Sequence, residues 1–291
     1  MNNKQKIFIT GISSEIMQRL VSIVDFANFD IYGLSRNPYK IKIQGIKLIK
    51  GGILDESSYK QALKGSSIII HAAAETHNFN ESEYYKTNYE GTKALVNAVH
   101  NKADVRFVYI SSNTASENGG AYAKSKLLSE QLVQSKFNNH VILRLSEVYG
   151  GSKKEGIEKL IDDVSTKRFI PCPTGMKGRF RPIHIDDAVK MIFSYTFRDE
   201  DTYGIFGING NKAYTYAELV EAVKKASGCK PRIIYISPFV MNFIKNTAKL
   251  LPFNIGVLPD QIERLYGDKY FQEPEVEFSN IEEYVSRKGH K

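Results

Sequence analysis

Tyr122 and Lys126 stand four residues apart in "GGAYAKSK" (119–126), directly after two glycines. Four residues make about one helical turn, so on a helix both side chains leave the same face. A phenol titrates near 10 in water. Bringing it to about 7 takes roughly 4 kcal/mol of phenolate stabilisation, within the reach of nearby positive charges in a closed site. A pair of this kind moves a proton to or from an oxygen held beside it. Ser111 and Ser112, which end "VYISS" (108–112), offer the hydroxyl to hold that oxygen. The spacing alone equally fits an amphipathic surface helix, so the elements around it must decide.

Those elements alternate. "KIFIT" (6–10), "DIYGLS" (30–35), "IKLI" (46–49), "SIIIHA" (67–72), "VRFVYIS" (105–111) and "HVILRL" (140–145) are short, β-branched and almost continuously apolar. That is the pattern of strands covered on both faces. Helical spacing fills 14–27, 56–64, 81–101 and 122–137 between them. Strand–helix alternation predicts an α/β fold, a Rossmann-type doubly wound parallel sheet with right-handed crossovers. Ser112 then lies at the C-terminal end of the fifth strand, where open sheets bind ligands.

After Gly150 the rhythm changes: a helical 155–167, the Pro/Gly-rich "FIPCPTGMKGRF", then "RPIHIDDAVKMIFSYTF" and "GIFGING". The expected division is an NAD(P)-binding Rossmann domain over 1–150, with return segments near 181–210. A smaller, interleaved substrate-binding region occupies 151–291. The apolar stretch 238–258 carries two prolines and two lysines, and reads as a helix of that region rather than a membrane span.

"ITGISSEIM" (9–17) follows the first strand and opens the first helix. Backbone N–H groups and the positive end of a helix dipole placed there suit a pyrophosphate. Gly11 is present, but Ser14 and Met17 stand where a second and third glycine are usual. Ser13 or Ser14 equally suits a helix cap. The second strand ends in Ser35 and Arg36, where an acidic residue would take the ribose hydroxyls of NAD. A planar cation there suits a 2′-phosphate, so NADP is expected over NAD.

Taken together, the chain resembles the extended short-chain dehydrogenase/reductases, the NAD(P)-dependent epimerase/dehydratase family, in its nucleotide-sugar-modifying branch. The resemblance rests on "TGISSEI" (10–16), "GSSIIIHAAA" (65–74), "YYKTNYEGTKALVNA" (84–98), "VYISS", "YAKSKLLSEQLV" (122–133), "ILRLSEVYG" (142–150), "RPIHIDDAV" (181–189) and "GIFGING" (204–210). It implies Tyr122 as the acid–base, Lys126 as its partner and ribose ligand, and Ser112 as the substrate-orienting hydroxyl. It implies a cofactor surface of Gly11, Ser13, Ser14, Glu15, Ile16, Ser35, Arg36, Gly52 and Ile53. His71, Ala72, Ala73, Asn88, Ser111 and Leu145 complete that surface. The family's phosphate-binding arginine falls at Phe180, flanked by Arg179 and Arg181, and both arginines stand as substrate-binding candidates. Gly52 replaces the aspartate usual near the adenine. The ten residues from Ser112 to Tyr122 are shorter than in many members, as in bacterial capsule and O-antigen sugar enzymes.

Dehydration in this family needs an Asp–Glu pair after the orienting hydroxyl, and Asn113 and Thr114 stand there instead. Arg36 and the weakened glycine turn point to an NADP(H)-dependent reductase of a keto group on a nucleotide-linked sugar, serving bacterial-type surface polysaccharide precursors. A nucleotide-sugar epimerase of the UDP-sugar 4-epimerase kind, with bound NAD, is the second reading. A catalytically weak dinucleotide-sensing protein is a third, from another class.

The remaining features bound the partners. A net charge of +8 is spread without a basic run, which argues against nucleic acid. "MNNKQKIFIT" lacks a signal peptide's apolar stretch, and two cysteines make no disulfide framework, so a cytoplasmic chain is expected. His71 and His77 lack a third metal ligand in spacing, His184 reads as a packed histidine, and Asp186 and Asp187 mark a helix start. By analogy the chain is expected to form a homodimer through 84–100 and 122–136.

Overall fold

The computed structural model describes residues 4–176, 178–198, 202–250, 259–267, 269 and 277–289. The strands are β1 (Gln5–Thr10), β2 (Phe29–Ser35), β3 (Ile46–Lys50), β4 (Ile68–His71), β5 (Arg106–Ser112) and β6 (His140–Leu145). They continue with β7 (Val148–Tyr149), β8 (Phe169–Pro173), β9 (Ile183–His184), β10 (Gly204–Ile208) and β11 (Arg232–Ile236). The helices are α1 (Glu15–Ser22), α2 (Glu56–Leu63), α3 (Glu81–Tyr84), α4 (Gly91–Ala98), α5 (Gly120–Lys136) and α6 (Gly156–Thr166). Then come α7 (Ile185–Phe197), α8 (Tyr216–Ser227), α9 (Pro238–Leu250), α10 (Pro259–Tyr266) and α11 (Ile281–Gly289).

Seven strands form one sheet in the order β10-β6-β5-β4-β1-β2-β3, parallel throughout. Alternate residues feed two cores, as the period of a strand requires. Ile7, Ile9, Ile70 and Val108 pack with Met17, Leu20 and Val21 of α1 and Ile192 of α7. Phe8, Ile69, Phe107 and Tyr109 turn the other way, against Tyr59 of α2, Leu95 of α4 and Val133 of α5. Both faces of the central strands are therefore dry, which is why their sequences read as apolar runs.

Within the segment 204–210, β10 pairs with β6 at the sheet's edge. The C-terminal elements α6, α8 and α11 close a separate apolar cluster around Tyr149, Leu160, Phe180 and Leu219. The expected helix over 81–101 is three pieces: α3, a π-helical turn at Tyr85–Glu90, and α4. Within 238–258, α9 buries Met241 while Phe239 and Phe243 stay exposed, and 251–258 lie outside the described residues. Among the described residues no helix is long and apolar enough to cross a membrane. Cys172 and Cys229 are free thiols.

Candidate active site

The chain runs from β1 outward to β3, then crosses back to build β4, β5 and β6 on the other side. This reversal opens a crevice at the C-terminal ends of β1 and β4, the usual ligand position of an open α/β sheet. The turn after β1 crosses that crevice. Gly11 adopts φ +69°, and a Cβ on it would stand 2.6 Å from the Ala72 carbonyl carbon, so only glycine fits. Ser14 caps α1, its Oγ accepting the Met17 N–H at 3.3 Å. Ser13 and Ser14 are exposed, while Met17 is buried in the core and fills the place of the missing third glycine.

Two neighbours in this turn do other work. The Glu15 carboxylate accepts the Ser152 N–H and hydroxyl at 2.8 and 2.7 Å and pairs with Arg19 at 2.6 Å. Burial opposes its charge, but the Ser152 and Arg19 bonds prevail and hold its carboxyl below the usual range. The Glu15 side chain thus ties α1 to the loop after β7, and only its backbone can serve a phosphate. Ile16 packs half-buried against the α1 side of the core.

At the end of β2, the buried Ser35 turns its hydroxyl to accept the Asn37 N–H at 3.2 Å. Arg36 is exposed, with no ion pair recorded among the described residues. A Cβ on Gly52 would meet nothing within 4 Å, so open space lies there. Ile53 is a wall residue: its side chain lies where a Cβ on Gly91 would stand, and its carbonyl accepts the Tyr59 hydroxyl at 3.0 Å.

His71, expected along the cofactor, faces the interior instead. Its Nδ1 is 2.6 Å from Thr10 Oγ1 and its Nε2 2.8 Å from Thr92 Oγ1. Thr92 donates its own proton to the Asn88 carbonyl, so it must accept from Nε2–H. Nδ1 then accepts from Thr10, whose oxygen takes the Ala73 N–H at 3.1 Å. This assigns a neutral imidazole, and burial, with Lys126 nearby, pulls it down to about 3. Both ring nitrogens are used, so His71 is neither a metal ligand nor an acid. It braces β1, β4 and α4.

Asn88 lies in the π-helical turn and is a second brace. Its side chain accepts the Glu75 N–H at 2.8 Å and donates to Ser125 Oγ at 2.9 Å, while Ser125 bonds the Tyr122 carbonyl. The widened turn leaves its own carbonyl to Thr92 and Ser129. Asn88 therefore sets the first turn of α5 against the loop after β4.

On α5 the two chemical residues are brought close but not joined. Lys126, 2% exposed, donates to the Ile110 carbonyl at 2.7 Å and sits 4.1 Å over the Tyr109 ring. Burial lowers it to about 7, with Glu130 opposing. Tyr122, 8% exposed, lines the cleft together with Ser112. Burial pushes this phenol above its ordinary value; the Arg264 charge and the Ser112 hydroxyl pull against it. The cation on the Tyr122 ring is Arg264, 4.4 Å from its centroid, and not the expected Lys126.

Ser112 Oγ accepts the Thr114 N–H and sits 2.9 Å from Thr114 Oγ1. Ser111 points to the opposite face of β5, where its hydroxyl donates to Glu130 at 2.5 Å. Glu130 pairs with Arg144 at 2.6 Å, so the Ser111 side chain belongs to the core and not to a cofactor surface.

Beyond Tyr122 and Ser112 a cleft of about 470 Å³ opens, with Leu145, Glu147 and Phe180 in its wall. Neither Arg179 nor Arg181 lines it. Arg179 is bound to Glu218 at 2.9 Å and to the Ala213 carbonyl. Phe180 pairs with Tyr214 in an extended bridge, and residues on either side of it point away from the cleft. The cation at that wall is Lys269, 2.6 Å from Glu147 and 3.4 Å from the Phe180 ring centroid. Glu147, Lys269, Asp260 and Arg264 were not visible in the sequence as site residues. One signal existed for the last two: the paired glycines 119 and 120, which mark a close approach.

The sequence matches the NAD dependent epimerase/dehydratase family over residues 7–202, more than half of the chain. The chain belongs to this family. The 40 kDa subunit of mitochondrial NADH-ubiquinone oxidoreductase from Neurospora crassa is 21% identical over 251 residues, 84% of this chain and 65% of that protein. The chain spans just under two thirds of that relative and about half of others it matches. Its fold is shared with dTDP-4-dehydrorhamnose reductase of Bacillus anthracis in complex with NADP, at TM-score 0.70, 18% identity and 98% of both chains. It is shared equally with Bordetella bronchiseptica WbmG in complex with NAD and UDP, at TM-score 0.71, 16% identity, and 99% and 94% coverage. A nicotinamide dinucleotide fits this member of the family: the Gly11 turn lies against β4, α1 presents its N-terminus, and space is open at Gly52.

Proposed function

We propose that this chain is an NADPH-dependent reductase acting on a keto group of a nucleotide-linked sugar. The observation that carries the reading is that Tyr122 and Ser112 line one cleft, with the Tyr122 phenol almost fully buried. A bound nicotinamide dinucleotide supplies hydride to the carbonyl carbon. Ser112 holds the carbonyl oxygen, and Tyr122, kept protonated at neutral pH by burial, gives that oxygen its proton. One hydride and one proton convert the ketone to an alcohol, and the phenolate left on Tyr122 is reprotonated from solvent. On this reading Lys126, one turn along α5, would exchange its bond to the Ile110 carbonyl for the ribose hydroxyls.

Arg36 supports the choice of NADP, since an exposed guanidinium beside the ribose position suits a 2′-phosphate. The sheet and its helices hold the cofactor on this reading, and the region after Gly150 walls the substrate.

The first test denatures freshly purified protein and identifies released nucleotide, then follows NADPH oxidation with keto-sugar nucleotides. Empty protein that binds NADPH reversibly and turns over a keto-sugar supports the reductase. Stoichiometric NAD favours epimerisation. Tyr122→Phe should abolish turnover and leave NADPH affinity within a few-fold; an active Tyr122→Phe enzyme overturns the mechanism.

A further inference from the structure

We propose that Arg264 of α10 is a positioning residue for Tyr122, holding a positive charge against the ring so that the phenol gives up its proton more readily. The inference rests on the reading of Tyr122 as the acid.

The geometry joins α10 to the start of α5. Asp260, 2% exposed, accepts the Tyr122 N–H at 3.0 Å and pairs with Arg264 at 2.9 Å. Arg264 donates to the Thr76 carbonyl at 3.1 Å and lies 4.4 Å from the centroid of the Tyr122 ring. A single helix thus grips both the backbone and the ring of Tyr122. The two glycines before Tyr122 permit the approach. Gly120 adopts φ +88°, and a Cβ on it would stand 2.7 Å from Asp260 Oδ1 and 2.8 Å from Glu263 Oε2. A Cβ on Gly267, just past α10, would come within 3.2 Å of the Gly119 Cα.

The other charges around Tyr122 do not take this role. Lys126, on the same helix, is held by the Ile110 carbonyl and the Tyr109 ring. Asp260 opposes the phenolate from α10, while Glu263 is 3.7 Å from Lys245 of α9. The Ser112 hydroxyl of β5 pulls the same way as Arg264, and Tyr84 of α3 meets the ring edge-on at 5.9 Å. His77 lines the same cleft, and burial with the Arg264 charge lowers it, which keeps it neutral. A cation on a desolvated ring is the remaining source of phenolate stabilisation before any cofactor binds.

The test reads the Tyr122 titration directly, by NMR of protein labelled at the tyrosine ζ-carbon, with the signal assigned by its loss in Tyr122→Phe. Arg264→Met, which keeps an apolar stem, should move the midpoint about tenfold in proton concentration toward alkaline pH, and Arg264→Lys should restore most of it. Asp260→Asn should move it the other way. Turnover, where measured, should show kcat lowered in Arg264→Met with NADPH affinity unchanged. A midpoint unmoved in both Arg264→Met and Asp260→Asn overturns the inference. Because the titration needs no substrate, a parent protein that reduces no keto-sugar sinks the proposed activity and leaves this result standing.

Discussion

Gly11 and Ala72 meet backbone to backbone, with 2.6 Å between the Ala72 carbonyl carbon and the position a Cβ on Gly11 would take. The contact joins the first turn to the end of β4, across the crevice that would hold a dinucleotide. Gly11→Ala forces a left-handed backbone on a residue with a side chain and pushes the two loops apart. The expected loss is about 2–4 kcal/mol, or roughly 5–10 °C in unfolding temperature. Dinucleotide affinity, followed by fluorescence titration, should fall at least tenfold.

His71 makes the fold sensitive to acid. Its folded value of about 3 lies below the ordinary 6.5 that it regains on unfolding. The unfolded chain therefore binds the proton first, and stability present above pH 6.5 is lost as pH falls toward 3. By pH 5 the loss from this group is about 2 kcal/mol. Denaturant melts from pH 7 to 5 measure it, and His71→Gln should flatten the slope. An equal slope in the variant would assign the effect elsewhere.

Ser111 and Ser112 are adjacent and should behave oppositely. Ser112→Ala removes a hydroxyl that lines the cleft beside Tyr122, so kcat should drop about 10²-fold or more with little change in melting. Ser111→Ala removes a buried bond to Glu130 and should cost about 1–2 kcal/mol of stability, with turnover kept. Steady-state kinetics beside thermal melts separate the two.

Arg36→Ala should weaken NADPH binding roughly 10- to 100-fold, the worth of one or two charge-assisted hydrogen bonds, and leave NADH almost unaffected. The NADPH affinity should also weaken with added salt in the parent more than in the variant. Equal losses for the two cofactors would place the 2′-phosphate elsewhere.

Much of the cofactor side was legible in the sequence. The strands from "KIFIT" to "HVILRL" and the return at "GIFGING" are where the apolar runs placed them. Local character suffices there, because a strand covered on both faces must be apolar at every position. What the sequence did not show is the direction in which side chains turn. His71 is at the end of β4 as expected, yet its ring turns into the core between Thr10 and Thr92. Arg179 and Arg181 flank the expected site, yet strand alternation delivers Phe180 to the cleft and leaves both arginines outside it.

The sequence by itself determined the family, the parallel sheet and the Tyr122–Lys126 spacing, because each is written in neighbouring residues with a period of two or about four. Only the tertiary structure decided which charges surround the phenol. Asp260 and Arg264 reach Tyr122 from 138 residues or more along the chain, through a gap kept open by Gly119 and Gly120. Lys269 reaches Glu147 across 122 residues. A charge acts through distance in space, and packing rather than local pattern sets that distance.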